Sequence, residues 1–191
     1  MDKNLYIISG CNGAGKTTAS YTVLPEVLDC KEFVNADEIA RGLSPFNPES
    51  VAIEAGRLML QRIDELLNRD VTFSIETTLA TKSYVNLVRR AQNKGYRVSL
   101  LFFWLSTPEL AIQRVSERVQ NGGHNIPEDT IRRRYVTGIR NLFQLFMKEV
   151  DFWGIYDNSK SPRQQVAFGG KKAKDIIINK PIFTQIRRYV E

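Results

Sequence analysis

The sequence predicts an α/β fold, a doubly wound and mainly parallel sheet with helices on both faces. Three observations predict it. The run Leu5-Tyr6-Ile7-Ile8 is continuously apolar, the pattern of a strand buried on both faces. A glycine-rich stretch, Gly10-Cys11-Asn12-Gly13-Ala14-Gly15-Lys16-Thr17-Thr18, follows it and opens a helix. Further apolar runs then alternate with helical patterns, and right-handed crossovers stack such units into one sheet whose ligands sit at the carboxyl ends of the strands.

Taken in order, Glu32-Phe33-Val34-Asn35 reads as a second strand and residues 37–42 as a brief helix, before the turn-rich Ser44-Pro45-Phe46-Asn47-Pro48. A long helix is expected over 49–68. Ile53, Leu60, Ile63, Leu66 and Leu67 would form its apolar face, with Glu54 and Arg57 on another. Residues 71–75 form a strand that ends in Glu76-Thr77-Thr78, 84–93 a helix stopped by Gly95, and 98–105 the longest strand. Thr107-Pro108-Glu109 starts a helix with a Thr cap and Pro in the first turn, and Asn121-Gly122-Gly123 ends it. Another helix runs from Pro127 to about Val150, with Ile131, Tyr135, Ile139, Leu142 and Phe146 as its inward stripe. Arg133 and Arg140 then face away, while Arg132 and Arg134 flank the stripe. Residues 152–156, 165–168 and 175–178 complete the strands, before a short C-terminal helix.

The 191 residues suit a single domain spanning 1–191, with a lid segment around 114–134. Hydrophobic residues make up 42% and charged residues 25%, which places the chain among ordinary globular proteins. No apolar run approaches the roughly 20 residues that span a bilayer, and Met1-Asp2-Lys3-Asn4 reads as entering a strand directly. Cys11 and Cys30 alone give neither a disulfide framework nor a zinc site, so a reducing, cytoplasmic setting is expected. The net charge of +6 and pI near 9.4 favour an anionic partner, a nucleotide or a nucleic acid.

Residues 10–17 fit G-x-x-x-x-G-K-[ST] in the strand–loop–helix setting that gives the pattern its meaning. Glycines let successive backbone N–H groups turn towards phosphates, Lys16 reaches the β- and γ-phosphates, and the Thr17 hydroxyl ligates Mg²⁺. Thr18 is a further candidate contact. The guanine-reading N-K-x-D is missing, since Asn179-Lys180 is followed by Pro181-Ile182. The strand over 98–105 ends near Ser106 rather than in the acidic residue that would share the metal, which leaves Asp37 and Glu76 as candidates. Asp37 follows the second strand at the ligand edge, where a carboxylate can accept a proton from an attacking hydroxyl. Capping the helix from Glu38 is its other reading. Glu76, with Thr77 and Thr78, ends a strand at the same edge and is expected to bind substrate or metal-bound water. Arg114 and Arg118 share a helix face leading into the glycine-hinged Asn121-Gly122-Gly123-His124, a connection able to close over nucleotide. Arg134 reaches towards the same cleft. His124, the sole histidine, is read as ordering this loop or acting in catalysis. Asp157-Asn158-Ser159 follows a strand and brings Asn158 towards the nucleotide, or forms a turn.

These motifs together resemble the zeta-toxin-like P-loop kinases, which share a nucleoside-monophosphate-kinase-like core. The segments are GCNGAGKTT, FVNADEIARGLSP, AIEAGR, FSIETTLA, RVQNGGHNIP with IRRRY, and YDNS, from Leu5 to Ser159. The resemblance implies transfer of a phosphoryl group from ATP or GTP, with Mg²⁺, to the 3′-hydroxyl of UDP-N-acetylglucosamine. It implies Asp37 as base, Glu76 as a substrate contact, and Lys16, Arg118 and Arg134 as phosphate contacts. Arg57, at the end of AIEAGR, joins the expected substrate contacts. A partner antitoxin is also implied. Two other readings stand beside this one: a polynucleotide kinase, prompted by the charge, and a nucleotide-dependent binding module without transfer activity.

Overall fold

The computed structural model describes residues 3–123 and 125–190; His124 lies outside them. One seven-stranded sheet organises the chain in the order β2-β3-β1-β4-β5-β6-β7. The strands are β1 (Asn4–Gly10), β2 (Glu32–Val34), β3 (Phe73–Thr77), β4 (Arg97–Trp104), β5 (Phe152–Asp157), β6 (Gln164–Gly170) and β7 (Ala173–Ile177). The first five run parallel, whereas β6 and β7 add an antiparallel extension. Parallel strands bury both faces, which is why Leu5, Ile7, Ile8, Phe73, Ile75, Val98 and Leu100 are all within 1% of full burial. The helices are α1 (Lys16–Glu26), α2 (Ala36–Leu43), α3 (Ala52–Asn68), α4 (Tyr84–Asn93), α5 (Pro108–Gln120), α6 (Glu128–Asn141), α7 (Met147–Glu149) and α8 (Lys180–Arg187). Among the described residues no helix is long and apolar enough to cross a membrane.

The Thr107 cap forms as expected, its hydroxyl accepting from the Leu110 N–H at 3.1 Å. Two helices differ from expectation. A 3₁₀ turn over Pro48–Val51 precedes α3, because Pro48 provides no N–H and occupies a first-turn position. The buried face of α3 is Ala55, Met59, Ile63, Leu66 and Leu67, while Ile53 and Leu60 are 93% and 55% exposed. Ile53 lies about 200° around the helix from Ala55, so the smaller residue takes the core. The expected helix up to Val150 is broken by a π turn, Leu142–Phe146, between α6 and α7. Its predicted stripe of Ile131, Tyr135, Ile139, Leu142 and Phe146 is buried throughout.

Helix α6 is fixed against the ligand edge by three contacts. The Tyr135 hydroxyl donates to the Leu105 carbonyl at 2.6 Å, and burial pushes the phenol far above its ordinary range. The buried Asn141 amide donates to the Leu79 carbonyl at 2.8 Å. At Gly138 a side chain would lie 2.6 Å from the Thr78 carbonyl, so α6 packs directly on the loop that follows β3.

Candidate active site

The glycine-rich loop turns from β1 into α1. Gly10 has φ +140° and Gly13 and Gly15 have φ +77°, a region that favours glycine. Its turn closes through the Ala14 N–H donating to the Cys11 carbonyl at 3.2 Å. Gly13, Gly15, Lys16, Thr17 and Thr18 line a cleft of about 430 Å³. Cys11 and Ala14 are buried beneath it and act through their carbonyls. Cys11 O accepts from Lys16 Nζ at 3.0 Å, and Ala14 O accepts from Asn158 Nδ2 at 2.8 Å.

Glu76 belongs to this loop as much as to its own strand. Its Oε1 lies 3.6 Å from Lys16 Nζ, both side chains being under 9% exposed, and its Oε2 accepts from the Thr17 hydroxyl at 2.8 Å. The acidic residue missed at the end of β4 is therefore present on the other neighbour of β1, since β3 pairs with β1 through Ile8 opposite Glu76. A hydroxyl and a carboxylate this close to a phosphate cradle suit Mg²⁺, which takes one or two protein oxygens and completes its shell with water and phosphate oxygens. Glu76→Gln removes the charge that faces both Lys16 and Thr17. Mg²⁺-dependent ATP affinity is expected to fall at least about tenfold, while metal-free nucleotide affinity changes little, as read by titration with and without EDTA.

Asp37 stands in the first turn of α2. The helix cap is Asn35, whose Oδ1 accepts from the Asp37 N–H at 2.9 Å. The capping reading of Asp37 is thus corrected, and its carboxylate is left to the cleft. Asp37 lines the phosphate cleft and two further cavities. One, of about 200 Å³, lies towards β3 and is bounded by Asn35, Glu76, Thr77, Thr78, Thr81 and Tyr84. The other, of about 310 Å³, lies towards α6 and is bounded by Ala40, Asn125, Thr130, Arg133 and Arg134. Thr77 is also a turn former, accepting from the Leu79 N–H at 3.1 Å.

Arginines approach from α5 and α6. Arg118 lines the phosphate cleft, and its aliphatic stem packs on Gly123. Arg134 donates to Asn12 Oδ1 at 3.2 Å, which ties α6 to the phosphate loop. Burial holds its guanidinium below the ordinary arginine value, with the Asp37 charge acting in the opposite direction. Arg114 bonds the Asn158 and Ser159 carbonyls at 2.9 and 3.0 Å, and so positions the 157–159 turn while lining the phosphate cleft. That turn is closed by the Ser159 N–H donating to Asp157 Oδ1 at 2.9 Å. Arg133 contributes to the α6-side cavity although an outward position was expected, and Arg140 pins the C-terminal segment through the Tyr189 carbonyl at 3.1 Å. Arg57 does not join the site. It is 78% exposed beside Glu54, on the face of α3 opposite Met59, the residue that reaches the β3-side cavity. Residues that sequence reasoning passed over are Asn35, Glu38, Arg41, Thr81 and Tyr84. Asn35 and Arg41 lie within the FVNADEIARGLSP segment and carried a signal that could have been used.

Burial pushes the Cys11 thiol up from the ordinary value of 9.0 to about 11, against the opposing charge of Lys16. The folded chain holds this proton more tightly than the unfolded chain. The stability that it contributes is therefore fully present below about pH 9 and lost as pH rises through about 11. Urea unfolding across that window should show the loss in the wild-type chain and a smaller slope in Cys11→Ala.

Residues 2–161, well over half of the chain, match the family model described as Zeta toxin. The chain belongs to the zeta-toxin family. Zeta-toxin membership agrees with the family resemblance drawn from the motifs. An uncharacterised protein of Haemophilus influenzae is 29% identical over 135 residues, which is 71% of this chain and 94% of that relative. Among solved structures, the AvrRxo1-ORF1:AvrRxo1-ORF2 complex with sulphate ions has a chain similar at TM-score 0.79 and 15% identity, covering 97% of this chain. This chain spans 63% of that neighbour's length. The PezAT chromosomal toxin–antitoxin system of Streptococcus pneumoniae gives TM-score 0.69 at 20% identity, covering 98% of this chain and 78% of its own. These likenesses establish the α/β fold with its mostly parallel sheet.

Proposed function

We propose that the protein is a Mg²⁺-dependent phosphotransferase that moves the γ-phosphate of ATP or GTP to a hydroxyl of a small substrate, with UDP-N-acetylglucosamine as the leading acceptor. The observation that carries this reading is the position of Asp37, on the wall between the phosphate cleft and the two neighbouring cavities. A hydroxyl held on the far side of that wall has the carboxylate as proton acceptor and the cleft as its phosphate source.

The loop amides and Lys16 bind and orient the triphosphate, and Thr17 and Glu76 are the residues that would hold the metal. Magnesium, when bound, would neutralise part of the triphosphate's negative charge. Arg118 and Arg134 add guanidinium donors where negative charge spreads during transfer. Asn158 supports the loop from beneath Gly15, where its Nδ2 would meet any added side chain at 2.6 Å. The β3-side cavity is small and carries the hydroxyls of Thr77, Thr78, Thr81 and Tyr84, which suits a sugar-sized polyhydroxyl group better than a polynucleotide. An antitoxin partner belongs to the same proposal, supported by the PezAT toxin–antitoxin neighbour, and so does a cytoplasmic setting, which rests on the cysteine usage of the sequence.

ADP formation should be measured with ATP and Mg²⁺ against a panel of nucleotide sugars, nucleosides, free sugars and oligonucleotides. Stimulation by a sugar-containing acceptor is expected. Stimulation by oligonucleotide ends alone would move the assignment to a polynucleotide kinase, and ATP binding without stimulation by any acceptor would move it to a binding module.

A further inference from the structure

The charge of the chain is divided unequally. Residues 1–157 hold nineteen Lys and Arg against nineteen Asp and Glu, whereas residues 158–191 hold eight against two, so the last stretch carries the whole net charge of +6. This stretch is the loop 158–163 after β5, which holds Lys160 and Arg163, followed by the β6–β7 hairpin and the α8 segment, which hold the other six cations and lie beyond the residues that match the zeta-toxin model. The neutral part of the chain contains every residue placed in the candidate active site apart from the Asn158 turn. An excess of positive charge away from a nucleotide cleft calls for a different anionic partner.

The same stretch contains an open strand. Among the described residues β7 is the last strand of the sheet, and all five of its residues are exposed. Ile176, Ile177 and Ile178 are 47%, 46% and 55% exposed, three adjacent large apolar side chains at a sheet edge. Edges of soluble proteins ordinarily avoid this arrangement. The Ile178 N–H donates to the Val166 carbonyl at 2.9 Å, and Ala167 faces Ile177 in the register. Antiparallel alternation then turns the backbone groups of Ile178 and Ile176 towards β6 and those of Ile177 outwards, before the register shifts between Ile176 and Ala173. Ile176 and Ile178 share one face of the strand, and the exposed Lys174 lies within the register shift beside them. Lys171, Lys172 and Lys180 flank its two ends, all exposed.

We infer that β7 is a docking edge for an extended, acidic polypeptide segment that adds to the sheet as an eighth strand. Outward backbone groups at Ile177 start the ladder, the isoleucines supply apolar contact, and the lysines select acidic residues in the partner. A second copy of the chain fits less well, because pairing two β7 edges brings two sets of lysines together. Nucleic acid fits less well, because the edge offers isoleucines where base stacking needs aromatic rings. The inference does not depend on phosphotransfer, and its test uses neither nucleotide nor acceptor.

The probe is a labelled, blocked ten-residue peptide with a central run of valines flanked by glutamates. It is compared with its lysine counterpart and with an oligothymidylate of similar length, by fluorescence anisotropy with the full chain. Saturable binding of the acidic peptide is expected, weakened by added salt, together with slowed hydrogen exchange at the Ile177 amide. Ile177→Pro removes an outward N–H that the β6–β7 ladder does not use, and Lys174→Glu reverses the selecting charge. Each should weaken the acidic peptide at least about tenfold, and Lys174→Glu should improve the lysine peptide. The inference is overturned if the acidic peptide does not bind, if both variants bind it as the wild type does, or if only the oligothymidylate binds. Concentration-dependent dimerisation abolished by Ile177→Pro would overturn it in favour of self-pairing.

Discussion

Asp37→Asn is expected to slow phosphoryl transfer by about 10²–10⁴-fold while ATP affinity stays within about threefold of the wild type. The substitution keeps the side chain's size and leaves the backbone N–H that bonds Asn35, so α2 keeps its cap. Among the described residues it removes the only carboxylate that borders the phosphate cleft and both cavities beyond it. Lys16, Thr17 and Glu76 keep their mutual contacts in the variant, which is why binding should survive. Calorimetric titration with ATP, beside turnover with the best acceptor, separates the two effects. A variant that loses affinity and rate together would instead make Asp37 a nucleotide contact, and full activity would remove it from the chemistry.

Gly10→Ala is expected to produce the largest loss of stability of any single methyl added to the phosphate loop. The new carbon would lie 2.2 Å from the Phe103 carbonyl oxygen and 3.4 Å from the Ala14 side chain, at a backbone φ of +140°. Neither β1 nor β4 can move aside, because Gly10 pairs with Phe103 in the centre of the sheet. Strain and collision together should cost on the order of 3 kcal/mol or more, or roughly 10 °C in melting temperature, with nucleotide binding lost as the loop distorts. Gly42→Ala is the control. It lies in α2 with nothing within 4 Å of the added carbon, and should be neutral or stabilising by up to about 1 kcal/mol. Thermal unfolding of the two variants side by side reads the difference.

Much of the fold was legible because its strands are buried on both faces and its helices carry local signals. Leu5-Tyr6-Ile7-Ile8 announced β1, and Thr107-Pro108 announced the start of α5. The phosphate loop was legible because its glycines are required by backbone conformation, which a spacing pattern records directly. Position at a strand end was enough to single out Asp37 and Glu76. The partnership of Glu76 with Lys16 and Thr17 was not legible, since it depends on β3 lying beside β1, and strand order arises from contacts between distant segments. The same limit led to a search for the metal-side acid at the end of β4. Ile53 and Leu60 misled the reading of α3, because hydrophobic spacing does not reveal that Ala55 and Met59 take the buried face. Arg57 lies on the exposed face of α3, outside the cavities that Asp37 lines, which the AIEAGR segment alone does not reveal. The roles of Arg114 and Arg134 differ through their hydrogen bonds, two from Arg114 to the 157–159 turn and one from Arg134 to Asn12, although both residues fall within the expected lid segment.

The central claim is that this phosphate loop serves transfer to a hydroxyl across the Asp37 wall. The most direct measurement follows the label from γ-labelled ATP, with Mg²⁺, in the presence of UDP-N-acetylglucosamine and related nucleotide sugars. The expected result is label on the acceptor as an alkali-stable phosphomonoester, present with the wild-type chain and nearly absent with Asp37→Asn. Label that stays on ATP or appears only as inorganic phosphate, with ATP demonstrably bound and every acceptor in the panel unlabelled, would contradict it.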